Sequence, residues 1–508
     1  MAAITNACAE LDHWDEAKHN AELRYGIANI LSLLLSNSNN DDEIRMICAA
    51  LEMVFRCSTD VLWETFQGLG SDGGVGSAIV ILLLRLVERC ESGDMKHADV
   101  SILNITKVLL YFSRVSDLRP TLARHQGLLV ALVRVSTSIL NSECRTLRMR
   151  VLANLANHED NKSLMFEHAG LMEAVLKIAA IDLSEGAREY ASAALMDLAS
   201  SPFNQIPMAR NDRLLGTLVK LSVVDDKNET REYAVSAMQN LAFSKDNRVR
   251  LATYGSGVVL EALKKTVSSD PNDKARRRAA GALTNLAYND TAERMGCHKG
   301  LLKTLSEVSS KDKNSDVQER AALALTKIAT SITVTMPCFN AMLDALLIAA
   351  LSKHAHGVAA VLRVKARMVE NRSRMAQHPG VLETLSEIII SQISNPKERD
   401  NAVRTLMHLT NENSNRRHMC RSVVLNALVK GAGLTGYEND EARDSAVIAI
   451  ERLATEHSNR KAMARHDGLL VVIALATERE AKEELMGKKK TGHQFLAKPL
   501  LMSLLVAM

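Results

Sequence analysis

Aromatic side chains are the scarcest apolar resource in this sequence: Phe, Tyr and Trp make up 3% of 508 residues, although 47% are hydrophobic. The interior must therefore be built from Leu, Ala, Val, Ile and Met, most of which favour or tolerate a helix. Proline is rare as well, with 8 residues, and the 24 glycines are few for the length, so little interrupts helical runs. Alternation of β-branched and polar residues, the mark of a half-buried strand, is almost missing. These scarcities exclude a β-rich chain and point to an all-α protein.

Other absences narrow the function. The longest apolar stretches, Ala78 to Leu84 and Ala345 to Leu351, are far short of the roughly 20 residues a membrane span needs, so no membrane insertion is expected. A net charge of +4 is close to balance, and bulk charge gives no reason to expect nucleic-acid binding. The eight cysteines stand apart with no CxxC pair, which suits free thiols in a reducing compartment rather than disulfides or a zinc site. His354 and His356 alternate without a carboxylate or thiol partner, a poor metal-ligand set. The segment GLGSDGGVG at 68–76 lacks the GK[ST] ending of a phosphate-binding loop, and GxSxG, HExxH and kinase signatures are missing. No enzyme activity, cofactor or metal is expected. The polar N-terminus MAAITNACAELDHWDEAKH carries no secretory leader, so the expected location is the cytoplasm, with the nucleus left open by Lys488, Lys489 and Lys490.

What the sequence does have is a period. Leu155, Leu198 and Leu241 close segments of the type NLA or DLA about 43 residues apart, and Phe112, Leu286, Ile328, Leu409 and Leu453 extend the series. Ten residues before this landmark stand Arg145, Arg188, Arg231, Arg276, Arg399 and Arg443. Six after it stand Asn161, Asn204, Asn247, Asn371, Asn415 and Asn459. A His-x-Gly turn recurs at His125, His168, His298, His378 and His466. In Tyr233 to Ala242, the residues Ala234, Ala237, Met238 and Leu241 fall at helical spacing and form one buried stripe. The recurring Asn suits an N-cap. The Gly of His-x-Gly suits a left-handed helix stop. The Arg column, so regular, suits a bond to carbonyls or an acid of the next repeat. Each unit is three helices that bury their faces only by stacking on neighbours.

The pattern R-x-x-A-x-x-A-[LM]-x-N-L-A, then N-[RK], then G-[LV]-[LM]-x-x-[LV], best seen from Arg231 to Arg248, resembles the armadillo repeat. The resemblance implies a right-handed α-solenoid of about ten three-helix repeats. Residues 1–99 are expected to form an N-terminal cap, including 21–34, and a degenerate repeat. Residues 100–480 form the solenoid. Residues 481–508 hold a basic loop and a capping helix. Lys365 at a landmark position and Pro337 within a would-be helix predict irregularity over 330–370.

The resemblance also implies that the third helix of each repeat lines a concave groove that binds extended partners. The positions one, five and eight before the landmark then give Arg150, Asn154, Tyr190, Asp197, Tyr233, Asn240, Arg278, Asn285, Arg320, Lys327, Asn401, Arg404, His408 and Arg452. Importin-α members pair groove Asn with Trp four residues earlier. Here Arg150, Ser236 and Gly281 stand there, while Trp14 and Trp63 lie outside the clear repeats, and no further motif supports the β-catenin type. The many arginines favour an acidic or phosphorylated segment. The expectation is thus a non-enzymatic protein–protein interaction scaffold. The alternatives are a chaperone cofactor or transport adaptor clasping a folded domain, a self-associating architectural element, and a merely solvated face.

Overall fold

The computed structural model describes residues 41–56, 75–91, 98–125, 127–135, 141–350, 357–391, 395–434, 439–485 and 497–506. The expected cap at 21–34, both tryptophans, residues 68–74 of the Gly-rich segment, His354, His356 and Lys488 to Lys490 lie outside the described residues. Among the described residues there are 29 α-helices and no strand. The chain divides into two compact units, Met1–Leu251 and Ala252–Met508.

The long third helices form one row in each unit. In the first unit they are α1 (Asp41–Arg56), α2 (Ala98–Arg114), α3 (Ser142–Ala156), α4 (Glu185–Ser200) and α5 (Asn228–Leu241), each packed on the next. In the second they are α6 (Asp273–Leu286), α7 (Ser315–Ser331), α8 (Val358–Arg367), α9 (Pro396–Leu409) and α10 (Asp440–Thr455). Each row packs against a row of second helices, such as Leu171–Ile181 and Asp212–Val224. Leu155, Leu198 and Leu241 are fully buried, as are Ala191 and Ala194 of α4 and Ala234 and Ala237 of α5. The alanines let neighbouring helix backbones approach, and each buried Leu stabilises its unit by roughly 1.5–3 kcal/mol.

The Asn column does something other than cap. The residue preceding helix Glu159–Glu167 is His158, and Ser201, Glu412 and Glu456 take that place in other repeats. The Asn sits one turn inside, buried, and its amide donates in two directions. Asn204 Nδ2 bonds the Leu198 carbonyl at 3.1 Å and the Lys162 carbonyl of the preceding repeat at 3.0 Å. Asn161, Asn247, Asn415 and Asn459 make the same pair of bonds. A third-helix C-terminus has carbonyls without intrahelical donors. The Asn supplies one donor and stitches two repeats together with it.

Three members of the Arg column also join repeats. Arg145 Nε lies 2.6 Å from Asp182 Oδ2, Arg188 Nε 2.6 Å from Asp225 Oδ2, and Arg276 Nε 2.7 Å from Asp312 Oδ2. The same aspartates accept from Ser184 N, Lys227 N and Asn314 N, which turns the chain into the next third helix. At the His-x-Gly turns Gly170 and Gly300 adopt φ of +78° and +76°, a region that favours glycine.

The irregular repeat keeps its second helix, Phe339–Ala350, and a third helix, α8, of only 10 residues. No first helix forms over 332–338, and Pro337 lies in that turn rather than inside a helix. Lys365 takes the landmark site and is buried, with its ammonium donating to the carbonyls of Thr330, at 2.6 Å, and Ile332. It provides the donors that a first-helix Asn provides elsewhere. At the C-terminal end, helix Ala497–Val506 packs on Leu469–Leu485.

Candidate partner-binding face

In the first unit the expected face is assembled from α3, α4 and α5, and its members are half-buried. The Arg150 guanidinium lies over the Tyr190 ring, 5.3 Å from its centroid. Asn154 donates to Ser113 Oγ at 2.9 Å and Asn240 to the Met196 carbonyl at 3.0 Å, each tying adjacent third helices. Burial pushes the Tyr233 phenol up, helped by Glu189, Glu232 and Glu229. Burial also pushes Asp197 up to about 6, against a hydrogen bond from Asn157 and the charges of Lys162 and Arg119. This face is aromatic and rich in carboxylates.

The second unit differs in charge. Arg278 and Asn285 on α6 and Lys327 on α7 are half-buried, and Arg320 is exposed. The Lys327 ammonium lies 5.5 Å from the Tyr288 ring centroid, within cation–π range. On α9, Arg404 is already engaged by Asp400 at 2.9 Å and by Glu441, while Asn401 is buried. Arg452 donates to the Met407 carbonyl at 3.1 Å. His408 is pushed down to about 4, first by burial and then by Arg367, Arg372, Arg363 and Arg452. Arg452 is lowered by burial and by Arg416, with Glu451 opposing. Among the described residues no group of three or more His, Cys, Asp or Glu side chains is placed to hold a metal ion.

No family model and no curated protein matches the chain. Solved structures do. A crystal structure of an engineered protein is similar over 84% of this chain and 98% of its own, with 19% identity and a TM-score of 0.56. A structure from work on the phosphorylation switch that controls the interaction between cadherin and β-catenin is similar over 97% of this chain and 98% of its own. It is 15% identical, with a TM-score of 0.53. A computationally designed armadillo-repeat protein for modular peptide recognition covers 48% of this chain and 99% of its own at 24% identity and a TM-score of 0.40. The fold is an armadillo-repeat solenoid. The resemblance read from the repeat columns and the backbone agree on it.

Within the armadillo frame, sequence reasoning placed His408 and Arg452 on the face but missed Arg363, Arg367, Arg372 and Arg416 around them. Two of these carry a visible signal. Arg372 and Arg416 directly follow the column Asn, in the N-[RK] pair, and reach back to the preceding third helix. Arg372 Nε donates to the Ala366 carbonyl at 3.1 Å and Arg416 Nε to the Thr410 carbonyl at 3.0 Å. Arg119 and Arg460 make the equivalent bond in other repeats. A cation there meets the negative end of the helix dipole. Arg363 and Arg367 belong to the irregular helix α8, where no column predicts them.

Proposed function

We propose that this protein is a non-enzymatic interaction scaffold that binds an extended, acidic segment of a partner protein along the third-helix face of its second unit. The observation that carries this reading is the charge pattern of that face. Arg320, Lys327, Arg363, Arg367 and Arg452 line α7, α8 and α10, and none of them forms an ion pair with a carboxylate among the described residues. An extended chain suits such a face because a row of parallel helices offers length rather than a deep pocket. Arginine forks supply the bidentate contacts that carboxylates need. A neighbour lends support, since one similar structure comes from work on a cadherin–β-catenin interaction. The first unit is a poorer host for an acidic segment, because Glu189, Glu229, Glu232 and Asp197 lie on or beside its face. The proposed location is the cytoplasm.

The test is fluorescence anisotropy of a labelled 16-residue Glu/Gly peptide against a matched Lys/Gly peptide on the full chain. The Glu peptide is expected to bind, weakening as salt rises because exposed charges are screened. The double variant Arg320→Glu/Lys327→Glu is expected to lower its affinity by about tenfold, near the worth of one or two charge-assisted contacts. Equal binding of both peptides, or affinity indifferent to the variant, would refute the acidic-segment reading.

A further inference from the structure

One position of the armadillo repeat, Asn at 154, 240 and 285, carries opposite charge preferences in two other places. One residue before the landmark on α4 stands Asp197. Its charged and polar neighbours include Asn157, two residues past the preceding landmark, and Lys162, seven past it, together with Arg119. The first unit thus meets the cations Arg119 and Lys162 with a carboxylate. On α9 the same position is His408. Its neighbours at the matching offsets from Lys365 are Arg367 and Arg372, with Arg363 and Arg452 added. On α10 the position is Arg452, which meets Arg416 and Arg372. Arg372 Nη2 reaches the Arg367 carbonyl at 2.9 Å and Arg452 Nη1 reaches the carbonyl of Met407, next to His408, at 3.1 Å, so guanidiniums gather where the first unit holds an aspartate. None of Arg363, Arg367, Arg372, Arg416 and Arg452 forms an ion pair with a carboxylate among the described residues. Arg363 Nε is buried without a hydrogen-bond partner.

Arg372 and Arg416 are held in place by the carbonyls of Ala366, Arg367 and Thr410, and by the Thr455 hydroxyl at 2.7 Å. Arg452 is held by the Met407 carbonyl. Helix capping accounts for Arg372 and Arg416 but not for Arg363 or Arg367. Like charges gathered this way repel one another, and a dianion in their midst removes the repulsion. A single carboxylate neutralises one of the five. A phosphomonoester carries a charge of roughly −1.5 to −2 at neutral pH and three acceptor oxygens that match several arginine forks.

We infer that Arg363, Arg367, Arg372 and Arg452 about His408, with Arg416 beside Arg452, form a receptor for a phosphoserine or phosphothreonine side chain on the partner segment. This rests on the acidic-segment reading above and names the residue the segment must carry at α8 to α10. The charged groups about His408 are Arg363 and Arg367 from α8, Arg372 from helix Val369–Gln377 and Arg452 from α10, while Arg416 from Asn413–Met419 and Glu451 stand beside Arg452. Arg404 and Asp400 share its own helix. A bound dianion would cancel much of the surrounding positive charge and let the imidazole protonate at a higher pH.

Three labelled peptides of one acidic sequence, carrying serine, glutamate or phosphoserine at a central position, are titrated into the full chain. The phosphoserine peptide is expected to bind about tenfold tighter than the glutamate peptide. Arg363→Gln/Arg367→Gln, which removes two arginines that cap no helix, is expected to shrink that ratio to about twofold. Arg416→Lys keeps the charge but loses the fork and is expected to shrink it as well. In NMR the His408 imidazole is expected to titrate at higher pH with the phosphoserine peptide than with the serine peptide. A ratio near one in the native protein, with the glutamate peptide still bound, overturns the phosphate receptor and leaves the acidic-segment reading standing. Failure of all three peptides to bind overturns both. A phosphoserine preference that survives both variants, or an unmoved His408 titration, places the phosphate elsewhere and overturns the assignment.

Discussion

Replacing Asn247 separates two accounts of the most regular column in the chain. Its amide donates to the Leu241 carbonyl at 3.0 Å and to the Gln205 carbonyl of the preceding repeat at 2.9 Å, and the residue is buried. Asn247→Ala leaves two carbonyls short of a donor, and a buried polar group so orphaned costs about 1–3 kcal/mol. The Leu241 carbonyl ends α5 and has no intrahelical substitute. The expected loss for the first unit is about 3 kcal/mol in total, or a urea midpoint lower by about 1 M at a slope near 3 kcal/mol/M. Asn247→Asp sharpens the test. An N-cap accepts hydrogen bonds, and aspartate serves there as well as asparagine. A stitch that donates to two carbonyls cannot use aspartate, whose charge would face two oxygens. The aspartate variant is therefore expected to fall below the alanine one. Unfolding in urea, followed by circular dichroism at helix wavelengths, reads both. An aspartate variant within about 0.5 kcal/mol of the native protein would refute the stitch and restore the cap.

The remaining expectations concern buried charge. Asp225 is almost wholly buried, meets Arg188 at 2.6 Å and accepts from Lys227 N, so Asp225→Ala should cost about 3–5 kcal/mol. The double variant Arg188→Met/Asp225→Ala should be milder than the summed singles by about 1–3 kcal/mol, and a double-mutant cycle giving no coupling would show that the pair acts independently. Lys365 is lowered by burial from 10.5 to about 8. A base whose folded pKa is depressed carries its full penalty below the folded value and sheds it as pH rises toward the unfolded one. The native protein should therefore gain up to about 3 kcal/mol between pH 8 and 10.5, and Lys365→Met should lack that gain. Denaturation across that range checks it, and parallel curves for the two proteins would refute a depressed Lys365.

The fold was legible because a solenoid repeats its physics. Leu155, Leu198 and Leu241 each fill the same hole, so a column of leucines about 43 residues apart announces the architecture before any helix is located. The Arg column was legible as structural for the same reason: Arg145, Arg188 and Arg276 pair with an acid of the next repeat, and Arg231 bonds the carbonyls of Asp225 and Asp226 in the turn before its own helix. What the column could not show was the direction of a bond. Asn is both donor and acceptor, and spacing alone suited a cap. Only the placement of Asn204 one turn inside its helix, with carbonyls on both sides, makes it a donor.

The face was legible in position and not in state. Arg150 and Arg404 read alike in sequence as free cations. In the fold Arg150 lies over Tyr190, and Arg404 is held by Asp400 and Glu441, residues that no repeat column connects to it. Conversely Arg363 and Arg367 stand on α8, where the repeat breaks, so the reasoning that finds columns passes over them. A repeat makes visible what every copy needs, which is packing and stitching. The proposed binding site is a departure from the repeat, at a position that is Asn at 154, 240 and 285, Asp197 on α4, His408 on α9 and Arg452 on α10. In a repeat protein the residues that break a column at an otherwise regular position are thus the first to test for function, and the regular ones are the first to test for stability.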